Sequence, residues 1–391
     1  MSAPFTIVCL SPQVWDTGLP TNRQQVMRRA AAFGHEIVFV ETAHFVGRDL
    51  WKLARGPRTG RREGIRQLIV GNRVAERITI RSAPWLAPWG RRIRWANRFN
   101  TMLTGLVVRR IIRQAKGPVV LWLYDAASSQ LVGVCGETAA VYDCVDDHIE
   151  VAGDNRRVRA LLTAADNRAA LASTVVITTT RTLYDRHRAT NPRTHLVPNV
   201  GDYEHFAPAA SREIAADEVS DLTGPVLGFT GNVAAWKVDF DLLTEVARRR
   251  PLWTLVLVGP TRSDTLDDLS RLSSLPNVHY LGSKPYERVP EYVAGFDVGL
   301  CPYLWNAAMR SGFPLKLYEY LAAGKPVVAS GNPDVAGMEP DVRVVRGADV
   351  FVSAVEDLLA LDGDADRARR MTLAAANTWE TRTRQMLDLV Q

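Results

Sequence analysis

Lysine is scarce in this chain: only six of its 48 basic residues are Lys. Four of the six, Lys237, Lys284, Lys316 and Lys325, stand in loops or helix starts of the C-terminal half. Cysteine is sparse too. Cys9, Cys135, Cys144 and Cys301 include no CxxC pair, which argues against a disulfide framework or a zinc site and fits a reducing cytoplasm. No apolar run approaches the roughly 18 residues of a membrane helix. The N-terminus lacks a basic region followed by a long apolar segment, so no secretory signal is expected. The turn after the first apolar run, SPQVWDTGLPTN, holds Gly18 alone. It lacks the GxGxxG spacing that brings a pyrophosphate to a helix start, which argues against a nicotinamide dehydrogenase.

Acidic residues vanish from one stretch, with none between Arg81 and Lys116. From Lys52 to Lys116 there are 17 Lys and Arg against Glu63 and Glu76, a local charge of +15 in a chain of net +6, so the remainder carries −9. A cationic patch of this kind points to a polyanionic surface rather than general stickiness. Within it, Trp85, Trp89, Trp95 and Phe99 interleave with Arg91, Arg92, Arg94 and Arg98, and Leu103, Leu106, Val107, Ile111 and Ile112 continue the apolar character. Basic residues among interfacial aromatics suit an anionic membrane leaflet, so segment 85–116 is expected to dock a peripheral enzyme on the inner face of the membrane. A core helix whose Arg residues face water is the alternative. No motif supports a nucleic-acid partner.

The composition, 47% hydrophobic and 23% charged, is that of a globular protein with room for two domains. Strand-like runs at Thr6–Ser11, His35–Glu41, Arg77–Arg81, Val119–Leu123, Ala139–Asp143, Thr174–Thr178 and His195–Val197 alternate with helical segments. Residues 206–224 lose the pattern and read as a linker. Alternation then resumes at Val226–Thr230, Thr254–Val258, Val278–Tyr280, Val298–Cys301 and Val327–Ala329. Such alternation implies parallel sheets with helices on both faces, whose ligands sit at the carboxyl ends of the strands.

The segment GFPLKLYEYLAAGKPVVAS, Gly312 to Ser330, is the richest in signal. Pro314 suits a helix start, Gly324 a left-handed helix end, and Pro326 bars continuation. Lys316, Glu319, Tyr320 and Ala323 share one helix face. A cation beside unpaired first-turn N–H groups suits a phosphate, and a carboxylate one turn on suits a ribose diol. In the N-terminal half, VYDCVDDH places Asp143, Asp146, Asp147 and His148 at a strand's carboxyl end. Asp143 first and Asp146 second are the candidates to deprotonate an acceptor hydroxyl. Helix capping is the competing use of Asp146 or Asp147. Trp15, Gly18 and Arg23 form a first-turn loop over the expected cleft.

Several segments, read in order, resemble the GT-B glycosyltransferases, specifically the family 4-like group, over about Phe5 to Met386. They are VPNVGDYEHF, LGFTGNVAAWKVDFDLL, WTLVLVGP, NVHYLGSKPYERVPEYVAGFDVGLCPY and the 312–330 segment. PLKLYEYLAAGKPVV is similar to the teichuronic-acid-type and xanthan-type branch. The resemblance implies two Rossmann-like, doubly wound α/β domains facing a cleft, with a C-terminal helix crossing back. The boundaries expected are 1–205 for the acceptor domain, 206–224 for the linker, 225–364 for the donor domain and 365–391 for the returning helix. It implies donor contacts from Gly231, Asn232, Lys237, Ser283, Lys284, Arg310, Lys316 and Glu319. Ser311 stands where the family's first acidic-motif Glu belongs, and Asn232 where many members have Arg.

The activity implied is transfer of a hexosyl or glycuronosyl group from a nucleotide-diphosphate sugar, UDP favoured, to a lipid-linked or glycan acceptor in envelope or exopolysaccharide synthesis. Fixed cations and dipoles at the leaving diphosphate would make a metal cofactor unnecessary. The family 4 resemblance implies retention and the xanthan-type one inversion. A nucleotide-sugar 2-epimerase of the same fold, or a non-catalytic sugar-nucleotide-binding protein, are the rival readings.

Overall fold

A computed structural model describes residues 4–16, 20–42, 72–83, 94–151 and 155–390. The chain divides into two compact units, Met1–Val197 with Thr383–Gln391, and Pro198–Arg382.

Among the described residues the first unit has eight strands: β1 (Thr6–Ser11), β2 (Glu36–Glu41), β3 (Asn72–Ala75), β4 (Ile78–Ser82), β5 (Val119–Leu123), β6 (Ala139–Cys144), β7 (Val175–Thr178) and β8 (Thr194–Leu196). Their order is β3-β4-β2-β1-β5-β6-β7-β8, parallel except for the β3–β4 pair. Strand order therefore reverses between β1 and β5. The helices used below are α1 (Asn22–Ala32), α2 (Arg94–Gln114), α3 (Arg156–Ala172) and α4 (Arg181–Arg188). Val8, Leu10, Leu121, Leu123 and Tyr142 pack with Val108 and Ile111 of α2 and with Ala169 and Ala170 of α3. On α2, Asn100, Thr104, Val108 and Ile111 are buried at helical spacing, whereas Trp95, Phe99, Met102 and Leu106 are exposed along the opposite stripe. The sequence-expected strands recur within about a residue of their positions. The antiparallel β3 was not expected, because NRVA is short and half polar.

The second unit carries β9 (Val226–Thr230), β10 (Thr254–Val258), β11 (Val278–Tyr280), β12 (Val298–Pro302), β13 (Val327–Ser330) and β14 (Val342–Val344). All pair in parallel in the order β11-β10-β9-β12-β13-β14, reversing between β9 and β12. Two glycines set the fit of helices on this sheet. A Cβ on Gly228 would lie 2.1 Å from the Phe296 ring, and one on Gly299 would lie 2.4 Å from the Tyr320 ring. The principal helices are α5 (Phe240–Arg249), α6 (Leu315–Ala322), α7 (Ala348–Leu361), α8 (Asp364–Ala376) and α9 (Trp379–Asp388).

Two boundaries differ from expectation. Residues 206–224 are not a spacer but pack on the second unit, which begins at Pro198. Val219 lies against Gly295, Arg212 Nη2 donates to the Gly295 carbonyl at 2.9 Å, and Lys284 Nζ pairs with Glu218 at 2.6 Å. Polar composition hid three short helical turns anchored by a few apolar contacts. The C-terminal helix is likewise two helices. Thr378 starts the second by accepting from the Thr381 N–H at 3.2 Å. α8 stays with the second unit, its buried Arg370 donating to the Gly324 carbonyl and to Asp362. Only Thr383–Gln391 belongs to the first unit, where Arg193 Nη2 donates to the Leu389 carbonyl and Arg384 sits 5.2 Å from the Phe33 ring.

Candidate functional site

The carboxyl ends of β9 and β12, at the reversal point of the second sheet, meet the start of α6. That helix runs Leu315–Ala322, with Pro314 at its N-cap position and Gly324 left-handed (φ +69°) just past its end. The Gly324 and Lys325 N–H groups return to the Leu321 and Tyr320 carbonyls, as a glycine-terminated helix requires. Tyr320 Oη accepts from the Thr230 N–H at 2.8 Å and so pins α6 to the end of β9.

Lys316 lies in the first turn and is 9% exposed. Its Nζ donates to Tyr303 Oη at 2.6 Å and stands 4.9 Å from the Phe229 ring and 5.3 Å from the Tyr303 ring. Lys237 Nζ stands 5.5 Å from the same Tyr303 ring. Two ammonium groups thus share one aromatic at the carboxyl end of β12. Burial pushes the Tyr303 phenol well above its usual range, so its hydroxyl stays protonated. Room beside these cations comes from glycine. Gly231 has φ +120°, and a Cβ there would stand 3.2 Å from Lys316 Nζ. Gly259 has φ +146°, and a Cβ there would strike the Gly231 carbonyl at 1.9 Å.

Glu319 follows one turn after Lys316. Part of the residue is exposed, but its carboxyl lies among protein atoms, and burial raises its pKa to about 7 against the opposing pull of Lys316 and with a further push from Asp202. The segment that opens the second unit presses on this helix. Asn199 Nδ2 donates to the Phe313 carbonyl at 3.1 Å, and a Cβ on Gly201 would stand 2.8 Å from the Glu319 nitrogen.

The remaining donor-side candidates disperse. Asn232 is half-buried next to Gly231, and Arg310 and Ser283 are exposed. Lys284, expected to contact the donor, is instead bound to both Glu218 oxygens at 2.6 and 2.9 Å and lies 5.0 Å from the Tyr292 ring. Its charge ties segment 217–220 to the loop after β11. Ser311 is 2% exposed and its Oγ donates to the Ala307 carbonyl at 3.2 Å, so the hydroxyl closes a turn.

In the first unit, Asp143 is the penultimate residue of β6, opposite Ile177, at the strand's carboxyl end. It is 1% exposed and accepts from Trp122 Nε1 at 3.2 Å. Asp146 is exposed, as is His148. Asp147 takes the capping role: its Oδ1 accepts from the Ile149 and Glu150 N–H groups and its Oδ2 pairs with Arg186, interactions that hold its pKa below the usual carboxylate range against its burial. Trp15 is half-buried, its N–H donating to Glu41 at 2.9 Å and its ring set edge-on against Phe39. Arg23 is 3% exposed and lies 5.3 Å from the Tyr124 ring. Gly18 lies outside the described residues, as do Trp85, Trp89, Arg91 and Arg92.

Residues 224–361, the stretch holding Gly231, Lys237, Lys316 and Glu319, match the family described as glycosyl transferases group 1. The teichuronic acid biosynthesis glycosyltransferase TuaH of Bacillus subtilis is 34% identical over 203 residues, half of each chain. Anabaena HepE, solved with UDP and glucose, covers 98% of both chains at a TM-score of 0.67 and 15% identity. Sucrose-phosphate synthase of Thermosynechococcus elongatus also covers 98% of both, at 0.71 and 16%. The chain has the GT-B fold, and its residues 224–361 carry the match to the group 1 glycosyl transferases. At these identities the two structures speak to the GT-B fold, and the match spans only about half the length of its curated relative.

Within this GT-B chain, Tyr303, Phe229 and Gly259 escaped the sequence reading. Tyr303 follows a buried apolar strand and reads as its continuation. Only the pairing of β9 with β12 and the docking of α6 show that its ring lies beside both lysines. Gly259 carried a detectable signal, since VGP after a buried strand marks a sharp turn at the strand's carboxyl end.

Proposed function

We propose that this chain is a glycosyltransferase that moves a sugar from a UDP-sugar to a lipid-linked or glycan acceptor in polysaccharide biosynthesis. The observation that carries the reading is the pair Lys316 and Lys237 gathered on the Tyr303 ring beside Gly231 and the start of α6. As the sugar–phosphate bond breaks, negative charge builds on the leaving diphosphate. Two fixed ammonium groups and the unpaired N–H groups of a helix start oppose that charge most strongly when it is fully developed, which lowers the barrier. The Glu319 carboxylate accepts hydrogen bonds from the ribose diol. The two ammonium groups and the helix start supply positive charge without a metal step. The UDP–glucose complex of HepE and the polysaccharide role in TuaH's name favour UDP and a polysaccharide product.

On the acceptor side, Asp146 is the better-exposed carboxylate, and Asp143 serves through its hold on Trp122. The exposed Trp95, Phe99, Met102 and Leu106 stripe, flanked by Arg98, Arg109 and Arg113, suits an anionic membrane surface and hence a lipid-linked acceptor. Among the described residues no helix is long and apolar enough to cross a membrane.

Titration calorimetry with UDP and UMP tests the donor reading. UDP should bind much more tightly than UMP, and UDP release from a UDP-sugar should require an acceptor glycan. Absence of UDP binding overturns the proposal. Conversion of a UDP-sugar to its epimer without acceptor identifies the epimerase, and UDP binding without turnover on a donor panel identifies a binding protein.

A further inference from the structure

Cys144, Asp166 and His187 are far apart in sequence, and their spacing gives no metal motif. The fold brings them together in the first unit: Cys144 ends β6, Asp166 lies on α3 and His187 on α4. One ligand atom from each, a sulfur, a carboxylate oxygen and an imidazole nitrogen, lies within 4.8 Å of the other two. All three residues are buried, His187 completely.

The cluster does not satisfy itself. His187 Nδ1 and Nε2 and Asp166 Oδ2 are enclosed without a hydrogen-bond partner. Nε2 and Oδ2 stand 3.5 Å apart, well beyond the roughly 2.7–2.9 Å of a charge-assisted bond. A fully buried imidazole with both nitrogens unpaired calls for an ion or a water. Asp166 is meanwhile oriented from behind, because Tyr142 Oη donates to its other oxygen, Oδ1, at 2.6 Å. Outer hydrogen bonds of this kind fix the carboxylate of a metal ligand.

We propose that Cys144, Asp166 and His187 supply three ligands of a site for a zinc-type divalent cation, with a water as the fourth, which joins β6 to α3 and α4. A thiolate, a carboxylate and a neutral imidazole are the donor types zinc takes, and its bond lengths of about 2.0–2.3 Å need ligand atoms roughly 3.3–3.7 Å apart. The cluster reaches that span by closing about 1 Å. Binding replaces the Cys144 thiol proton, which passes to solvent, and leaves the cation balanced by thiolate and carboxylate. The charges around the cluster are Arg186, which opposes a cation but is paired with Asp147, and Asp147 itself.

The test uses the full-length chain, equilibrated with Co(II) and separately with Zn(II) and then dialysed. One equivalent of Co(II) should give a sulfur-to-cobalt charge-transfer band and the intense visible bands of four-coordinate cobalt, and Zn(II) should remove both. Cys144→Ser should abolish the charge-transfer band. Tyr142→Phe should weaken cobalt affinity about 10–100-fold while retaining the band. Folding of each variant is checked by circular dichroism. Failure of the folded wild-type chain to take up either metal overturns the proposal in favour of a buried water network, as does an unchanged cobalt spectrum in folded Cys144→Ser.

Discussion

The parallel strands of each sheet reverse order once, between β1 and β5 in the first unit and between β9 and β12 in the second, yet the two reversal points hold different chemistry. In the second unit, Lys316 and Lys237 stand over Tyr303, and Gly231 and Gly259 leave the space beside them without a side chain. In the first, Arg23 is 3% exposed against Tyr124, and Asp143 is 1% exposed and bonded to Trp122. Arg23 and Asp143 also act on the buried Cys9 thiol with opposite effect, and burial dominates to push it well up. Topology sets where a ligand can sit in a doubly wound sheet. Side-chain volume at the strand ends decides whether charge there faces a ligand or is enclosed by the protein.

Replacing one cation at each reversal point tests that difference most severely. Lys316→Met keeps the buried stem and removes the charge. It should weaken UDP binding about 10–100-fold, since hydrogen bonds to charged groups contribute about 1.5–3 kcal/mol. Turnover should fall further, by about 10²–10³, the size expected when a donor to developing charge is lost. UMP affinity should change much less. Arg23→Met should leave UDP affinity unchanged. Calorimetry with both nucleotides reads the contrast, and equal losses from the two variants would erase it.

Glycine offers a second contrast. Gly231→Ala imposes a side chain at φ +120° and 3.2 Å from Lys316 Nζ. Strain of about 1–3 kcal/mol is expected, together with weaker UDP binding. Gly34 in the first unit also has positive φ (+99°), but a Cβ there would meet nothing within 4 Å. Gly34→Ala should therefore show strain in denaturant titration with no effect on UDP. A Gly231→Ala protein that binds UDP normally would show that the space beside Lys316 is not used.

Much of this contrast was legible in the sequence, for identifiable reasons. Pro314, Gly324 and Pro326 act locally, so the limits of α6 followed from backbone rules alone, and Lys316 and Glu319 were fixed on one face by helical spacing. The pairing of Lys284 with Glu218 was not legible, because its partner is 66 residues away in a segment whose polarity resembles a linker. Asp143 stands at the carboxyl end of β6 as read, but its enclosure against Trp122 depends on the neighbouring strand and was not legible in DCVDDH. Tyr303 and the Cys144–Asp166–His187 cluster depend wholly on strand order and helix docking, which no local pattern encodes.

Glu319 gives a pH signature that the first unit should lack. Its folded pKa of about 7 lies above the ordinary carboxylate value, so between about pH 4.5 and 7 the folded state holds a proton that the unfolded state has lost. Its contribution to stability therefore declines as pH rises through that window. Ribose needs the ionised form, so UDP affinity should move the other way, tightening about tenfold between pH 6 and 8. UDP's own phosphate also titrates there, and Glu319→Gln isolates the protein's share: the variant should bind UDP more weakly at pH 8 and show the shallower profile. Parallel profiles would remove Glu319 from ribose binding.

The smallest expected effect separates the outer surfaces of the two units. Arg113 lies on the exposed side of α2, in line with Trp95, Phe99, Met102 and Leu106 across about five turns of helix, while Arg248 is exposed on α5 of the second unit, whose first turn bears Asp241. Each cation near an anionic leaflet contributes about 1 kcal/mol, or about fivefold in partitioning. Arg113→Gln should lower binding to vesicles containing phosphatidylglycerol by that factor at low salt, and Arg248→Gln should not. Raising salt to beyond the screening range should shrink the Arg113 effect, because exposed charges interact through a Debye layer of about 8–10 Å near physiological ionic strength. Trp95→Ser should lower binding at every salt concentration, since its contribution is apolar and unscreened. If both arginine variants lose binding equally, attraction follows overall charge and the α2 stripe has no special part in it.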